Sequence, residues 1–442
     1  PSSEHEQRWP SAEIVGADAL DLAAVEKAMD GIDAVFYLIH SLLLGPKEFE
    51  TADLQAAVNF KIAAENKNVK RIIYLGGLGD VNADLSPHLR SRIRVAQELQ
   101  KGRVPVTILR AAVIIGSGSA SYEIINSLVR NLPVLPLPSW ARTRCQPISI
   151  RDVVKYMVGV LETGETAGRS FDIGGHEILT YEQMLRIVGD VLGKRRMFVP
   201  SLVSNIRFIA YITNLLTPVP HAIVRCLLEG SVNEVICHND EIKRIVPFKM
   251  LSFRDAVQRA ASKEEKDLIN TRWSDAYPPA HEFAVKLGEM KVPPQYTTVY
   301  SLFTDKSPAM LFKSICSIGG REGWFQSNWL WRLRGSLDRV LTGVGTSRGR
   351  RSHSTLRVND VIDFWRVEDL KYDRLLLLRA EMIMPGKAWL QFRIEPEKDG
   401  NRLSVEAYYS TDSMVGKMYW YACLPFHLLI FHNLIKQIEK RS

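Results

Sequence analysis

Apolar positions in the first half of the chain follow two periods. The continuous runs Ala34–Ile39 (AVFYLI), Arg71–Leu75 (RIIYL) and Val106–Ile115 (VTILRAAVII) predict strands buried on both faces of a parallel sheet. Asp21–Met29, Phe49–Asn66 and Ser91–Leu99 carry helical spacing, with Leu54, Ala57, Val58 and Ile62 forming a stripe in the second. A short strand is expected at Glu13–Val15, before the Gly16-Ala17-Asp18 turn. This alternation predicts an α/β doubly wound parallel sheet, with a ligand crevice at the carboxyl ends of its strands. Farther on, Arg151–Leu161 reads as a helix and Ser170–Ile173 as a strand closed by Gly174-Gly175. Thr180 is placed to cap a helix over Tyr181–Leu192. Phe208–Leu216 and Ile223–Leu228 are apolar helical runs around Thr217-Pro218-Val219-Pro220, suited to packing or to a hydrophobic pocket or membrane-facing surface.

The pattern changes near Asn270, and Trp273–Pro279 reads as a linker. Tyr296–Phe303 alternates. Asp363–Glu368, Arg374–Met384, Ala388–Ile394 and Arg402–Tyr409 predict an antiparallel meander, with turns at Pro385-Gly386 and Asp399-Gly400. Two folds follow, over residues 1–270 and 271–442. The meander ends in an apolar helix over Met418–Ile438. Its stretch Met418–Ile435 has the length of a membrane span, but Pro425, His427, His432 and Asn433 make lipid burial costly. A packed helix is expected, with interfacial membrane attachment through its aromatics and basic tail as the alternative.

Composition excludes a disordered or fibrous chain: of 442 residues, 46 % are hydrophobic and 24 % charged. The net charge of +8 is mild and suits an anionic small ligand or a membrane surface as well as nucleic acid. Five scattered cysteines without a CxxC pair suggest free buried thiols in a reducing compartment, hence a cytoplasmic protein, membrane association being left open. The start, PSSEHEQRWPS, has no apolar signal core and no initiating Met, so a processed or truncated N-terminus is expected. No metal site is expected: His238 beside Asp240-Glu241, and His427 and His432, lack metal-ligand spacing. The basic clusters Arg142-Thr143-Arg144 and Arg348–Arg351 are short and argue for no nucleic acid. Arg142 and Arg144 more readily border a cleft that takes a phosphate or carboxylate.

The strand ends carry the candidate chemistry. They read Asp18, then Leu38-Ile39-His40-Ser41, Leu75-Gly76-Gly77 and Arg110-Ala111-Ala112. Small residues there admit a ligand to the backbone, and an acid suits an adenine amine or ribose hydroxyl. No Gly-rich phosphate loop precedes Glu13, and Gly116-Ser117-Gly118-Ser119 reads as a cleft-lining loop.

The series IVGADALDLAAVEKAMDGIDAVFYLIHS, RIIYLGGLGD, SPHLRSR, VPVTILRAAVIIGSGSASYE, TRCQPISIRDVV and FDIGGHEILTYEQML resembles the atypical short-chain dehydrogenase/reductase superfamily. The likeness covers roughly residues 10–260 and is strongest to an NAD(P)-binding branch with an extra C-terminal domain. It implies a dinucleotide cofactor, NADP or NAD, and a first strand, Gly-rich loop, first helix and second strand preceding residue 1. It places Asp18 and Ala19 at the adenine, Leu38, Ile39, His40 and Ser41 at the adenosine ribose, and Leu75, Gly76 and Gly77 beneath the nicotinamide ribose. Arg110, Ala111 and Ala112 fall behind the nicotinamide, Ser117, Tyr122, Arg144 and Gln146 along the substrate cleft, and residues 151–270 in a substrate-side lobe. The superfamily's catalytic Ser is replaced by Gly76-Gly77, and its Tyr-x-x-x-Lys by His88 and Arg92. An Arg can hold a ribose hydroxyl or phosphate, and a His can donate a proton near neutral pH; otherwise both belong to a solvated helix start. Ser-Tyr-Lys ketoreductase chemistry is therefore not expected. The second half resembles the helix-grip, START-like fold, which implies a cavity for an apolar small molecule. The leading expectation is an NAD(P)(H)-binding oxidoreductase on an apolar substrate held partly by the C-terminal domain; the alternatives are a non-catalytic dinucleotide-sensing scaffold and a lipid-like ligand carrier.

Overall fold

The computed structural model describes residues 9–41, 49–79, 86–265, 285–319, 323–350 and 355–442. Two compact units emerge, the first holding the described residues up to 217 and 221–265, the second 218–220 and the described residues from 285 onward.

The first unit opens with α1 (Leu22–Ala28), β1 (Ala34–Tyr37), α2 (Phe49–Asn66), β2 (Arg71–Gly77), α3 (Pro87–Gln100) and β3 (Val106–Ala111). There follow β4 (Ile114–Ile115), α4 (Ala120–Asn131), β5 (Val134–Leu137), β6 (Arg144–Cys145), β7 (Ile148–Ser149), α5 (Ile150–Glu162) and β8 (Ser170–Ile173). It closes with β9 (Leu179–Thr180), α6 (Tyr181–Val191), β10 (Met197–Pro200), α7 (Ile206–Leu216), α8 (His221–Gly230), α9 (Glu241–Ile245) and α10 (Phe253–Glu265). The main sheet runs β1-β2-β3-β8, and every pairing is parallel. Local chemistry starts its helices. Asp21 caps α1. Ser86 caps α3, with Pro87 pre-set for the first turn. Thr180 and Gln183 form a reciprocal capping box on α6. One core cluster joins Tyr37, Tyr74, Ala57, Ala63, Val95 and Leu99. Another joins Ile73, Leu109, Val153, Tyr156 and Phe171, so the strands are apolar on both faces as parallel strands require.

Two expected elements differ. Glu13–Val15 forms no strand: Val15 is 44 % exposed, so the segment has no buried face to reward pairing. The run Val106–Ile115 is two strands, because the chain leaves the main sheet at Ala112-Val113 and Ile114–Ile115 pairs with Ile148–Ser149 instead.

The second unit holds β11 (Tyr296–Thr304), α11 (Pro308–Ile315), α12 (Asn328–Val340), β12 (Val361–Ile362), β13 (Trp365–Lys371), β14 (Leu375–Ala380), β15 (Lys387–Glu397), β16 (Gly400–Ser410) and α13 (Met414–Arg441). Its antiparallel sheet runs β11-β16-β15-β14-β13-β12. The pairing is in register from Tyr296↔Tyr409 to Thr304↔Asn401 and bulges between Val367 and Asp369. The 28-residue α13 continues through Pro425, and Phe431, Leu434, Ile435 and Ile438 join the sheet's core. The expected linker Trp273–Pro279 lies outside the described residues. So does Arg351 of the basic cluster Arg348–Arg351, while Arg348 and Arg350 are buried. Arg348 pairs with Glu381 at 2.7 Å, and Arg350 donates to the carbonyls of Cys316 and Ile318 at 2.7 and 2.9 Å. These arginines act as internal ties. Among the described residues no helix is long and apolar enough to cross a membrane, and no group of three His, Cys, Asp or Glu could hold a metal ion.

Candidate functional site

The parallel register brings the strand ends together. Gly76 lies opposite Arg110, Gly77 opposite Ala111, and Ala111 opposite Ile173. A groove of about 130 Å³ runs beside Gly76, Gly77 and Gly79 and is also lined by Arg92 and Arg110. Arg110 pairs with the buried Asp172 at 2.6 Å, while its Nε is buried without a partner. The other oxygen of Asp172 accepts from the backbone N–H of His238 at 3.1 Å.

Behind the rim lies a polar network. Asp53 sits fully buried on α2. It accepts from the Ser41 backbone N–H at 2.7 Å, from His40 Nδ1 at 3.3 Å and from the Ser91 hydroxyl at 3.4 Å. His40 Nε2 and His88 Nε2 are 2.9 Å apart. Burial pushes the Asp53 acid upward, but the His40 and Ser41 contacts outweigh it and hold the carboxyl below its ordinary range. Burial, then the neighbouring His40 and Arg92, push the His88 imidazole down to about 3. His88 is therefore neutral at neutral pH. His40 thus stands between the two, its Nδ1 toward the Asp53 carboxylate and its Nε2 toward His88 Nε2.

Arg92 is buried and committed. Its guanidinium donates to the Ile39 carbonyl at 3.0 Å and the Leu75 carbonyl at 2.6 Å, bridging the ends of β1 and β2. It also covers the Tyr74 ring at 4.8 Å. The planar fork suits two carbonyls on adjacent strands, which a Lys could not span in the same way.

The other expected site residues divide. Asp18 accepts from the Leu20 backbone N–H at 2.9 Å, and the Ala19 carbonyl accepts from Asn59 at 3.0 Å, tying this turn to α2. Leu38 is exposed, Ile39 half-buried and Ala112 buried. Ser117 is half-buried, and Tyr122 is buried within the lobe core. Arg144 is exposed and paired with Glu234 at 2.6 Å. Gln146 is buried, donating to the Gly175 carbonyl at 2.6 Å and accepting from the Cys237 backbone N–H at 2.9 Å. The structure thus gathers residues 38–41, 75–77, 88, 92 and 110–112 at one sheet end, and spends Tyr122, Arg144 and Gln146 on packing, an ion pair and a loop tie.

Asp53, Ser91 and Asp172 escape the sequence reading. A signal for Asp53 exists: it falls on the face of α2 that carries Ala56, Ala57, Phe60, Ala63 and Ala64, a polar residue where the period demands an apolar one.

A second concavity, of about 270 Å³, lies within the second unit. Trp331, Trp365 and Trp389 line it together with Tyr409, Trp420 and Phe431. Tyr409 and Trp420 stack with ring centroids 5.5 Å apart.

Residues 2–131 match the model of the NAD(P)H-binding family, and residues 293–434 match DUF2867, a family of unknown function. The mitochondrial NADH dehydrogenase (ubiquinone) 1 alpha subcomplex subunit 9 of Arabidopsis thaliana is 25 % identical over 146 residues, 33 % of this chain and 36 % of that protein. The photosystem II assembly factor Ycf39 of Trieres chinensis is 22 % identical over 209 residues, 45 % of this chain and 63 % of that protein. The chain therefore spans about a third of the first relative's length and under two thirds of the second's. The crystal structure of the Citrobacter sp. triphenylmethane reductase with NADP(H) aligns at 17 % identity and a TM-score of 0.48, covering 58 % of this chain and 87 % of that one. The first unit carries an NAD(P)-binding domain of Rossmann type.

Proposed function

We propose that the protein binds NAD(P)H at the carboxyl ends of β1, β2 and β3 and uses the dinucleotide to order a scaffold, without hydride transfer by the Ser-Tyr-Lys route. The observation that carries this reading is the state of the two replaced catalytic positions. Arg92 spends one donor on each of the Ile39 and Leu75 carbonyls, and His88 is held neutral with no readily released proton. The remaining residues fit the ribose and nicotinamide end of a dinucleotide. Gly76, Gly77 and Gly79 leave backbone open beside the groove, and the Arg110 Nε is a donor without a partner among the described residues. When bound, the nicotinamide would supply a hydride donor or acceptor; the chain's own part is to position it. Two relatives named as a subunit of a larger enzyme and as an assembly factor fit a binding role.

The second unit is a ligand-holding module of helix-grip type: an antiparallel sheet and a long terminal helix share one core around an aromatic cavity. Its occupant is an apolar small molecule. Peripheral membrane contact is favoured by a surface that continues from the mouth of this cavity, which Leu333 and Leu337 also line. Trp329, Leu333 and Leu337 follow at four-residue steps on α12, with Leu341 just past its end, and all four are exposed. Met414, Val415, Met418 and Tyr421 are exposed on α13, with the cations Arg332 and Lys417 among these positions.

Turnover separates the scaffold from the oxidoreductase. Incubating the protein with NADPH or NADH and an apolar extract should leave nicotinamide absorbance unchanged while bound dinucleotide is detected. Extract-dependent loss of absorbance that follows the protein concentration would restore the reductase.

A further inference from the structure

Most buried polar groups in folded proteins have partners, and an exception that lines a cavity is a donor or acceptor open to whatever enters it. The buried indoles of the second unit divide on this point. Trp324 Nε1 donates to Asp363 at 2.8 Å and Trp389 Nε1 to Glu368 at 3.0 Å. Trp331 and Trp365, only 8 % and 5 % exposed, both line the cavity, and neither Nε1–H has a partner among the described residues. His427 also lines the cavity, and its Nδ1 is buried and unpartnered. A buried donor left without an acceptor disfavours the empty site and rewards an occupant that supplies one.

The cavity offers no free charge to a ligand. Arg334 is its one charged lining residue, and it donates to the Ile383 carbonyl at 2.7 Å and the Tyr419 hydroxyl at 3.4 Å, with Asp338 3.8 Å away. Burial pushes the His427 imidazole down to about 4, so it too is neutral at neutral pH. The remaining lining is largely aromatic and aliphatic. An apolar cavity of about 150 Å³ accommodates benzene. The 270 Å³ here therefore suits two fused rings.

We propose that this cavity binds a neutral, ring-containing, mostly apolar molecule bearing a carbonyl- or ether-type oxygen, which accepts from the Trp331 and Trp365 indole N–H groups. The proposal rests on the ligand-holding reading of the second unit and adds the chemistry by which it selects. An apolar molecule without an acceptor leaves both donors unpaired, and a carboxylate meets, among the described lining residues, only Arg334 as a countercharge, which already faces Asp338 and donates to the Ile383 carbonyl.

The test compares three probes of one shape on the full chain by calorimetry: 2-acetylnaphthalene, its hydrocarbon analogue 2-isopropenylnaphthalene, and 2-naphthoate. The ketone should bind roughly 5–10-fold tighter than the hydrocarbon, as one net hydrogen bond of about 1 kcal/mol or slightly more gives, and naphthoate more weakly than either. In Trp331→Phe and Trp365→Phe the hydrocarbon should still bind, while the ketone preference falls toward unity in at least one variant. That ratio is insensitive to a general loss of fold. Equal binding of ketone and hydrocarbon, or a preference unchanged in both variants, would overturn the proposal and leave the ligand-holding reading standing. Failure of both neutral probes to bind would overturn that reading itself and the proposal with it.

Discussion

Asp53 shows how one side chain organises the crevice. It stands on the buried face of α2 and holds the loop after β1 through Ser41 and His40. Asp53→Ala takes the acceptor from three groups, the Ser41 N–H, His40 Nδ1 and the buried Ser91 hydroxyl, and should cost about 2–4 kcal/mol of unfolding free energy, read by denaturant titration. Asp53→Asn, which keeps shape and one acceptor, should cost less; equal stability of both variants and the native protein would remove the network from the account. His88 sets a pH dependence. Its folded pKa of about 3 lies below the ordinary 6.5, so the unfolded state binds more protons between those values. Stability is then fully present above pH 6.5 and is lost as pH falls toward 3. Between pH 7 and 5 this amounts to about 1–2 kcal/mol. His427, also depressed, adds loss in the same direction within the second unit. Replacing His88 by Asn should flatten the first unit's share of the slope, as measured by melts at stepped pH.

At the scale of elements, much was legible because period and turn chemistry agree. Phe49–Asn66 and Ser170–Ile173 occupy the expected spans, since an apolar stripe or an apolar run between breakers leaves few alternatives. Glu13–Val15 failed because three residues carry too little pattern to reveal that their side chains face solvent. The break at Ala112-Val113 was invisible because both halves of Val106–Ile115 are equally apolar, and only the pairing with Ile148–Ser149 divides them. The strand ends of the candidate site could be listed from the sequence, but not the commitment of Arg92, which depends on carbonyls 53 and 17 residues away. A cavity in the second half was expected from the helix-grip likeness, but not its lining, since Trp331 on α12, Trp365 on β13 and Trp420 on α13 come together only in the folded unit. The start of α13 gives a sharper test. A Cβ at Gly416 would lie 2.0 Å from Thr411 Oγ1 and 2.4 Å from the Pro385 carbonyl oxygen. Gly416→Ala should therefore destabilise the protein by about 1–3 kcal/mol, although Ala ordinarily favours a helix. A stabilising substitution, seen in a denaturant melt, would show that the helix is not docked there.

For the whole molecule, the two units divide the work. One offers donors and open backbone at the ends of a parallel sheet, suited to an anionic dinucleotide, and the other a neutral aromatic cavity. The exposed apolar positions of α12 and α13 predict binding to vesicles containing phosphatidylserine, weakened at high salt. The paired change Trp329→Glu with Leu341→Glu should lower vesicle binding at least about tenfold while leaving the melting temperature unchanged, because both side chains are exposed. Unaltered vesicle binding in this variant would remove the surface from the account. The central claim is dinucleotide binding at the strand ends, and the most direct measurement is a nicotinamide-fluorescence titration of the full chain with NADH and NADPH, repeated with Arg110→Gln. Saturable binding by the native protein, weakened at least about tenfold in a folded Arg110→Gln variant, is the predicted result. No binding of either dinucleotide, or equal binding by the variant, would contradict it.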